Sequence, residues 1–352
     1  MKKGYLVLQN GQVYEGFPFG AEGESLGELV FTTGMGGYLE TLTDPSYFGQ
    51  IVVQTFPLMG NYGVIPGDFE GLPRLKGYVV REWCAAPSNF RSEGDLDAFL
   101  KARGIPGLWG VDTRRLTRTL RDEGVMNAMI CGRVPEDLSA LEAYRVTDAL
   151  AAVSRAEKET FSPAGRVKHR VALLDYGMKG NILRELLRRD CEVTVFPASA
   201  SAEELLAGGF DGLMLSNGPG DPAENTFQIA QLQRLLGRLP LFGICLGHQL
   251  TALAAGGGTY KLKFGHRGVN QPVRVPGGHR TWITSQNHGY AVAENVPGGA
   301  VSFVNANDGT CEGMDYPALR AFTVQFHPEA CAGPKDTSFL FDRFISLMEG
   351  GD

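Results

Sequence analysis

Short apolar runs alternate with amphipathic stretches along the second half of the chain. The apolar runs are of strand length, and the stretches between them repeat their apolar positions at helical spacing. Strict alternation of strands and helices is typical of βαβ units, so this half predicts an α/β fold with a mostly parallel sheet flanked by helices. The predicted strands are 171–174, 192–196, 212–215 and 241–244, and the predicted helices are 181–189, 202–207 and 223–236.

The first half has a different pattern, with strand-like runs separated by Gly/Pro turns and helices that come late. The segment 151–169 between the halves is polar, contains Pro163 and Gly165 and has no clear period, so it is the best linker candidate. We therefore predict a β-rich α/β domain over 1–150, a linker over 151–169 and the parallel-sheet domain over 170–352. In the first domain, strands are expected at 5–8, 28–32, 51–55 and 77–80, and helices at 95–103 and 113–123, the second capped by Asp112.

Composition excludes several functional classes. With 352 residues, the chain is long enough for about two domains. The net charge of −6 and the lack of a Lys/Arg block argue against nucleic-acid binding. Apolar runs are too short to cross a membrane, and the N-terminus has no signal-peptide core, which together predict a cytoplasmic protein. The six cysteines are scattered without a CxxC pair, so neither a disulfide scaffold nor a metal site is expected.

The predicted strand 241–244 ends in Gly243-Ile-Cys-Leu-Gly247, and a helical pattern follows directly. A Gly-x-nucleophile-x-Gly turn between a strand and a helix is a nucleophile elbow, here with cysteine as the nucleophile. The glycines suit a tight turn, and the helix N-terminus favours the thiolate through its dipole and free amides. Cys245 is therefore a candidate nucleophile.

A cysteine nucleophile needs a base, and the base needs an acceptor that orients it. His327 stands after the strand-like run 321–326, and Glu329 follows close enough to accept a hydrogen bond from its ring. A histidine beside a proline is also an ordinary turn residue, so this pair alone does not establish catalysis. His248 lies one helical turn after Cys245 and is expected to have a packing role. The remaining histidines are expected at the surface (His169, His266, His279) or in a turn-like segment that lines a site (His288).

The Gly-rich run Ser216-Asn-Gly-Pro-Gly-Asp221 also follows a predicted strand. It lacks the Lys-Ser/Thr of a P-loop and the spacing of a dinucleotide fingerprint. Its backbone amides could instead stabilise an oxyanion, together with the amide of Leu246 after the nucleophile. Ligands of parallel sheets bind at the carboxyl ends of the strands, so this run and Cys245 are expected to share one crevice.

These three segments, in this order, resemble the signatures of class I (triad-type) glutamine amidotransferases over residues 170–350. The first domain narrows the resemblance. The run Thr33-Gly-Met-Gly-Gly-Tyr-Leu-Glu-Thr-Leu-Thr-Asp-Pro-Ser-Tyr47 is similar to the small-chain family of carbamoyl phosphate synthetases, as are Gly60-Asn-Tyr-Gly63, Asp112-Thr-Arg and 175–184.

The resemblance implies that Cys245 attacks the side-chain amide of L-glutamine and forms a glutamyl thioester, with His327 moving protons and Glu329 orienting it. It places Ser46 of the first domain at the glutamine site. The remaining implied glutamine contacts are Gly218, Gly220, Leu246, Gln249, Asn287, Gly289 and Tyr290.

No ATP-binding motif is present, and the resemblance assigns no cofactor to this chain. It implies a separate large chain that binds ATP and Mg, receives the ammonia and makes carbamoyl phosphate from bicarbonate for arginine and pyrimidine biosynthesis. The two chains are expected to form a heterodimer and higher oligomers. No nucleic-acid or membrane partner and no metal site are expected.

Three alternatives remain open. Another class I amidotransferase, supplying ammonia for aminodeoxychorismate, anthranilate or a nucleotide, would share the catalytic half but not the first domain. A cysteine peptidase or gamma-glutamyl hydrolase could use a similar sheet, but the 287–290 segment and the first domain favour the amidotransferase. A non-catalytic regulatory subunit would be favoured if Cys245, His327 or Glu329 were replaced, and all three are present.

Overall fold

The computed structural model describes residues 2–351, and the chain divides into two compact units, Met1–Ala149 and Leu150–Asp352. Within the described residues, no helix is both long and apolar enough to cross a membrane.

The first unit is built around a closed barrel with the strand order β1-β2-β8-β6-β4-β3-β9. Three barrel pairs are parallel, namely β3 with β4, β4 with β6 and β6 with β8. The other pairs of barrel strands are antiparallel. The strands are β1 (Gly4–Leu8), β2 (Val13–Gly20), β3 (Ser25–Thr32), β4 (Gln50–Gln54), β5 (Leu58–Met59), β6 (Gly77–Val79), β7 (Glu82–Trp83), β8 (Pro106–Trp109) and β9 (Met126–Cys131). The helices are α1 (Tyr38–Thr43), α2 (Leu96–Ala102), α3 (Thr113–Glu123) and α4 (Ser139–Ala143), with 3₁₀ turns at Pro45–Tyr47 and Pro66–Asp68.

All four predicted strands and both predicted helices of this unit are present, and Asp112 caps α3 through the amide of Arg115 at 3.0 Å. The pattern missed β2, β5, β7, β8 and β9. Proline occurs in β2 and at the start of β8, and proline is a weak predictor of strands because it cannot donate to the ladder.

The second unit contains one ten-stranded sheet with the order β10-β12-β11-β13-β14-β19-β18-β16-β15-β17. The five strands from β12 to β19 are parallel, as the alternation predicts, and antiparallel strands extend the sheet on both sides. The strands are β10 (Glu159–Phe161), β11 (His169–Asp175), β12 (Cys191–Pro197), β13 (Gly212–Leu215), β14 (Leu241–Ile244), β15 (Thr259–Arg274), β16 (Thr281–Val292), β17 (Ala300–Asn305), β18 (Cys311–Tyr316) and β19 (Ala321–Val324). The helices are α5 (Ala149–Val153), α6 (Gly180–Leu187), α7 (Ala202–Ala207), α8 (Thr226–Leu235), α9 (Leu246–Ala254) and α10 (Phe339–Met348), with 3₁₀ turns at Pro222–Glu224 and Pro317–Leu319.

Strand alternation sorts the core of this unit into two layers. On β11, Ala172 and Leu174 pack with the apolar residues of α7, α8 and α9, whereas Val171 and Leu173 pack with those of α6 and α10. A strand buried on both faces reads as a continuous apolar run, which is why the central strands were identifiable from the sequence.

The segment 151–169 is not a structureless linker. It contains most of α5 and all of β10, which pairs antiparallel with β12 and is part of the second unit. Its three strand residues are polar or half-exposed at the sheet edge, so they lack the apolar period by which a buried strand is recognised.

Candidate active site

Cys245 lies between β14 and α9, at the carboxyl edge of the parallel strands. Its φ of 53° and ψ of −102° are unusual for a residue with a side chain, and such strain persists only where the surroundings enforce it. Its amide donates to the carbonyl of Val324 on β19 at 2.8 Å, which fixes the turn against the neighbouring strand. The side chain is 2% exposed. The predicted nucleophile elbow is therefore present in backbone conformation as well as in sequence.

Gly247 is required here by close packing. A Cβ on this residue would lie 2.6 Å from Leu215 Cβ and 2.7 Å from the Leu215 carbonyl oxygen. The amide of Gly247 also donates to the carbonyl of Ser216 at 3.1 Å. These contacts join the elbow to the end of β13, where the Gly-rich run begins.

The Gly-rich run packs directly against the elbow. A Cβ on Gly218 would lie 2.1 Å from the carbonyl oxygen of Tyr176 and 2.7 Å from Leu246 Cδ2. The backbone at Gly220 has a φ of 89°, in the left-handed region. Leu246 opens α9, so its amide belongs to the first turn, where the helix supplies no acceptor. The expectation that these two segments share one crevice is confirmed.

His327 follows the end of β19 and is oriented by Glu329. Its Nδ1 lies 2.7 Å from Glu329 Oε1, and its backbone amide donates to Ser285 O on β16 at 2.9 Å. Among the described residues, Nε2 of this buried ring has no hydrogen-bond partner of normal geometry. Burial lowers the pKa of His327, but the Glu329 carboxylate and the nearby Cys245 side chain raise it more, so the pKa lies above its ordinary value. The ring thus has one nitrogen held by a carboxylate and the other available toward the cysteine.

Two further polar residues hold Glu329, and sequence reasoning gave them no chemical role. Lys179 Nζ lies 3.1 Å from Glu329 Oε1 and donates to the carbonyl of Ala330 at 2.6 Å. Asn181 Nδ2 donates to the carbonyl of Glu329. Burial raises the pKa of Glu329, but the charges of Lys179 and His327 lower it more, to about 2. Glu329 is therefore an ionised carboxylate held between the Lys179 ammonium and the His327 ring.

The signal for Lys179 was present but ambiguous. It caps α6 after the carboxyl end of β11, and the carboxyl ends of parallel strands gather at one edge of a sheet. A lysine on such a turn is usually solvated, and only the fold shows that this one is about 4% exposed.

The 287–290 segment of β16 lies beside the nucleophile. The Cys245 thiol donates to the carbonyl of Asn287 at 3.7 Å. Gln249 Nε2 donates to the carbonyl of Tyr290 at 3.0 Å and to Gln325 Oε1 at 2.9 Å. The second unit therefore brings Cys245, His327 and Glu329 together with the predicted contacts Gly218, Leu246, Gln249, Asn287 and Tyr290.

The other predicted glutamine contacts are less defined by these interactions. A Cβ on Gly289 would lie 3.2 Å from Arg267 Nη2, so this residue is in close contact with an arginine. Ser46 belongs to the first unit, where it lies in the 3₁₀ turn Pro45–Tyr47 and donates its amide to Asp44 Oδ1 at 2.9 Å. The predicted roles of Ser46, Gly220 and Gly289 in binding glutamine stay predictions.

Histidine placement corrects two expectations. His266, expected at the surface, is only 8% exposed, and its ring lies between Asp308 at 2.8 Å and Glu312 at 3.2 Å. His288 lies within strand β16 instead of a turn. The packing role expected for His248 is confirmed, since its buried Nδ1 contacts Thr323 Oγ1 at 2.7 Å and burial lowers its pKa to about 3.

His266, His288 and Glu312 are also the one group in the described part of the chain with the spacing of metal ligands, their ligand atoms lying within 4.8 Å of one another. Both ring nitrogens of each histidine already face a protein oxygen at 2.8–3.2 Å. Nitrogens that are fully engaged in hydrogen bonds are poor metal ligands, because a metal needs a free lone pair on each.

Comparisons with known proteins agree with both units. The class-I glutamine amidotransferase family model matches residues 172–347, and that of the carbamoyl-phosphate synthase small chain, CPSase domain, matches residues 6–130. The carbamoyl phosphate synthase small chain of Bacillus thuringiensis is 51% identical, covering 99% of this chain and 96% of the relative. The pyrimidine-specific small chain of Halalkalibacterium halodurans is 49% identical, covering 99% and 97%.

A solved structure of a GMP synthase subunit from Thermoplasma acidophilum is 22% identical, with a TM-score of 0.46, covering 53% of this chain and 96% of the other. The match to the first unit excludes the other class I amidotransferases that were considered as alternatives. The chain therefore belongs to the carbamoyl phosphate synthase small-chain family and contains a class-I glutamine amidotransferase domain.

Proposed function

We propose that this chain hydrolyses L-glutamine to glutamate and ammonia through a covalent Cys245 intermediate. It delivers the ammonia to a large, ATP-using chain that makes carbamoyl phosphate from bicarbonate. The observation that carries the proposal is the buried pair of His327 and Glu329, whose ring nitrogen Nε2 is left available beside a strained cysteine.

In the first step, the sulfur of Cys245 forms a bond to the side-chain amide carbon of glutamine, and the thiol proton passes to Nε2 of His327. The carbonyl oxygen becomes an oxyanion, and we assign its stabilisation to the backbone amides of Leu246 and Gly220. Removing one such donor in other enzymes costs roughly a hundredfold or more in rate.

In the second step, His327 returns its proton to the amide nitrogen, the carbon–nitrogen bond breaks, and ammonia leaves. A glutamyl thioester remains on Cys245. Water then attacks the thioester carbon while His327 accepts a proton from it, the carbon–sulfur bond breaks, and the thiolate recovers the proton. Glutamate is released, and the enzyme returns to its starting state.

Glu329 supports both steps through His327. Its 2.7 Å hydrogen bond to Nδ1 keeps the proton on that nitrogen in the neutral ring, so Nε2 faces the cysteine as the base. Its charge stabilises the imidazolium that forms when Cys245 is deprotonated. Lys179 holds Glu329 in place at 3.1 Å and keeps it ionised.

The destination of the ammonia is inferred from the family. Relatives carry the name small chain of carbamoyl phosphate synthase, which supports a large partner that binds ATP and Mg. Ammonia released into neutral water becomes ammonium, which is not nucleophilic, so a direct route to that partner is expected. We place this complex in the cytoplasm and propose that its product supplies arginine and pyrimidine synthesis.

A glutaminase assay tests the proposal, with the chain alone and with the large chain, ATP and bicarbonate. Cys245→Ser should abolish glutamate release under both conditions, whereas the matched control Cys84→Ser, on a half-buried cysteine of the first unit, should retain it. Glutamate release by Cys245→Ser equal to that of the unaltered chain would refute the nucleophile assignment. Glutamate release that no large chain increases or couples to carbamoyl phosphate would refute the proposed partner.

A further inference from the structure

A hydrogen-bond network of buried polar side chains leads from Asp308 to the 287–290 segment. Asp308 Oδ2 lies 2.8 Å from His266 Nε2, and His266 Nδ1 lies 3.2 Å from Glu312 Oε1. Glu312 Oε2 lies 3.0 Å from the Gln286 amide, whose other end lies 3.1 Å from His288 Nε2. The network ends at the carbonyl of Tyr290, which lies 2.8 Å from His288 Nδ1.

The hydrogen-bond network lies where the backbone ladder between β15 and β16 is interrupted. Regular pairing around the segment is limited to His266 with His288, Arg267 with Asn287 and Gly268 with Gln286, and the register is irregular on both sides. Side-chain hydrogen bonds can compensate where the backbone ladder is interrupted. The Tyr290 carbonyl at its end also accepts from Gln249 on the elbow helix at 3.0 Å.

A count of the hydrogen-bond donors and acceptors shows that this side-chain network needs one extra proton. His288 Nδ1 faces a carbonyl and must donate, so in a neutral ring Nε2 is an acceptor. The Gln286 amide must then present its NH₂ to His288 and its oxygen to both Glu312 and Thr284 Oγ1, which lies 3.2 Å away. This is possible because an amide can be turned to exchange its two ends and a hydroxyl can rotate to donate to the oxygen. Glu312 Oε2 then faces an acceptor and must itself carry a proton.

The surroundings of Glu312 agree with a proton on Oε2. The other oxygen, Oε1, already accepts from His266 and from Asn305, each at 3.2 Å, whereas Oε2 faces only the Gln286 amide. Glu312 is fully buried, and burial raises its pKa above the ordinary carboxyl range against the lowering effect of His266. Burial, together with the charges of His266, Arg267 and His327, lowers the pKa of His288 well below its ordinary range.

We propose that Glu312, protonated on Oε2 and anchored by His266 and Asp308, is a positioning residue that holds the 287–290 segment in place to bind glutamine. With this proton, each contact of the network from Glu312 through Gln286 and His288 to the Tyr290 carbonyl pairs one donor with one acceptor. The inference rests on the proposed glutaminase function and adds a residue that does not contact the reacting atoms.

Steady-state glutaminase kinetics of Glu312 variants test the inference, using the complete chain. Glu312→Gln retains a neutral donor at the same position, so its KM for glutamine should stay within about twofold of the unaltered chain. Glu312→Ala interrupts the hydrogen-bond network. Its KM for glutamine should therefore rise about tenfold, the equivalent of one hydrogen bond, with kcat changed much less. Glu294→Ala, on an exposed glutamate of the same unit, is the matched control and should change neither.

The pH dependence of KM separates positioning from a merely structural role. A rise in pH removes the proton from Glu312, so KM of the unaltered chain should rise on the alkaline side, whereas KM of Glu312→Gln should not. The titratable groups that face Glu312 are His266 and Asp308, and His288 is connected to it through the Gln286 amide. His266→Gln, which keeps a hydrogen-bond donor, is a second variant in case Glu312→Ala does not fold, and a rise of its KM is expected to be smaller than tenfold.

Three results would overturn the inference. One is an unchanged KM in folded Glu312→Ala, and the second is a Glu312→Gln chain as impaired as Glu312→Ala. The third is one equivalent of a metal ion bound to the purified chain and lost in both Glu312 variants, since a metal would occupy the same nitrogens. If the unaltered chain does not hydrolyse glutamine at all, the proposed function fails instead, and the two failures are thus distinguishable.

Discussion

Replacement of Glu329 by glutamine should move the alkaline limit of activity to lower pH. The substitution keeps the size of the side chain and removes a negative charge whose oxygen lies 2.7 Å from His327 Nδ1. That charge raises the pKa of His327 against the effect of burial, and the imidazolium it stabilises must donate a proton to the leaving ammonia. Without it, His327 loses its proton at lower pH.

The magnitude follows from the distances around Glu329. An opposite charge within hydrogen-bond range typically shifts a pKa by about 1–3 units. The pH at which kcat/KM declines on the alkaline side should therefore be lower by about that much. Lys179 strengthens the effect, because its ammonium lies 3.1 Å from the same carboxylate oxygen and would remain as an unbalanced cation that opposes a charged His327. We also expect kcat at its best pH to fall by roughly a hundredfold or more, since the amide no longer fixes the ring tautomer.

The assay is glutamate release across a pH series for the unaltered chain, Glu329→Gln and the double variant Glu329→Gln/Lys179→Met. The double variant removes the unbalanced cation, so its alkaline limb should lie between those of the other two. An alkaline limb that stays in place in folded Glu329→Gln would show that Glu329 does not control the protonation of His327. A double variant shifted further than the single variant would refute the role assigned to Lys179.

Three other changes should have measurable effects. Gly247→Ala should lower the unfolding free energy by about 1–3 kcal/mol, because its Cβ would lie 2.6 Å from Leu215 Cβ, whereas Gly258→Ala meets no atom within 4 Å and should be nearly neutral in a denaturant titration; equal effects would contradict the packing argument. Lys179→Met alone should raise the pKa of Glu329 and reduce kcat more than KM, because it disturbs the orientation of the base; a change confined to KM would contradict this. Since the pKa of Glu329 is lowered to about 2 in the fold, its contribution to stability is present above the ordinary carboxyl pKa of about 4.5 and is lost as pH falls toward 2; the stability difference between the unaltered chain and Glu329→Gln in acid unfolding should therefore shrink over that interval, and a constant difference would contradict the assignment.

The parallel core and the elbow were predictable because their signals are local. A strand buried on both faces is a continuous apolar run, and the tight turn at Cys245 requires glycines at fixed spacing. The edge strand β10 and the barrel strand β8 were missed, since the first is polar and the second begins with a proline. Their pairing comes from partners distant in sequence.

The site was predictable to the extent that its residues stand in compact motifs. His327 and Glu329 are two residues apart, so their hydrogen bond could be anticipated from the sequence. Lys179 approaches Glu329 from 150 residues earlier in the chain, and the placement of His266 between Asp308 and Glu312 depends on a long hairpin with irregular register. Such contacts leave no local pattern, which is why His266 was wrongly expected at the surface.

Rapid-quench mass spectrometry of the chain reacting with glutamine tests the central claim most directly. The account predicts that acid quenching within the first turnovers traps one glutamyl group per chain, attached to the peptide that contains Cys245. The adduct should be absent in Cys245→Ser and should persist longer in Glu329→Gln, because water attack on the thioester also needs a correctly oriented His327. Glutamate formed at the normal rate with no glutamyl adduct at Cys245, or with an adduct on another cysteine, would contradict the account.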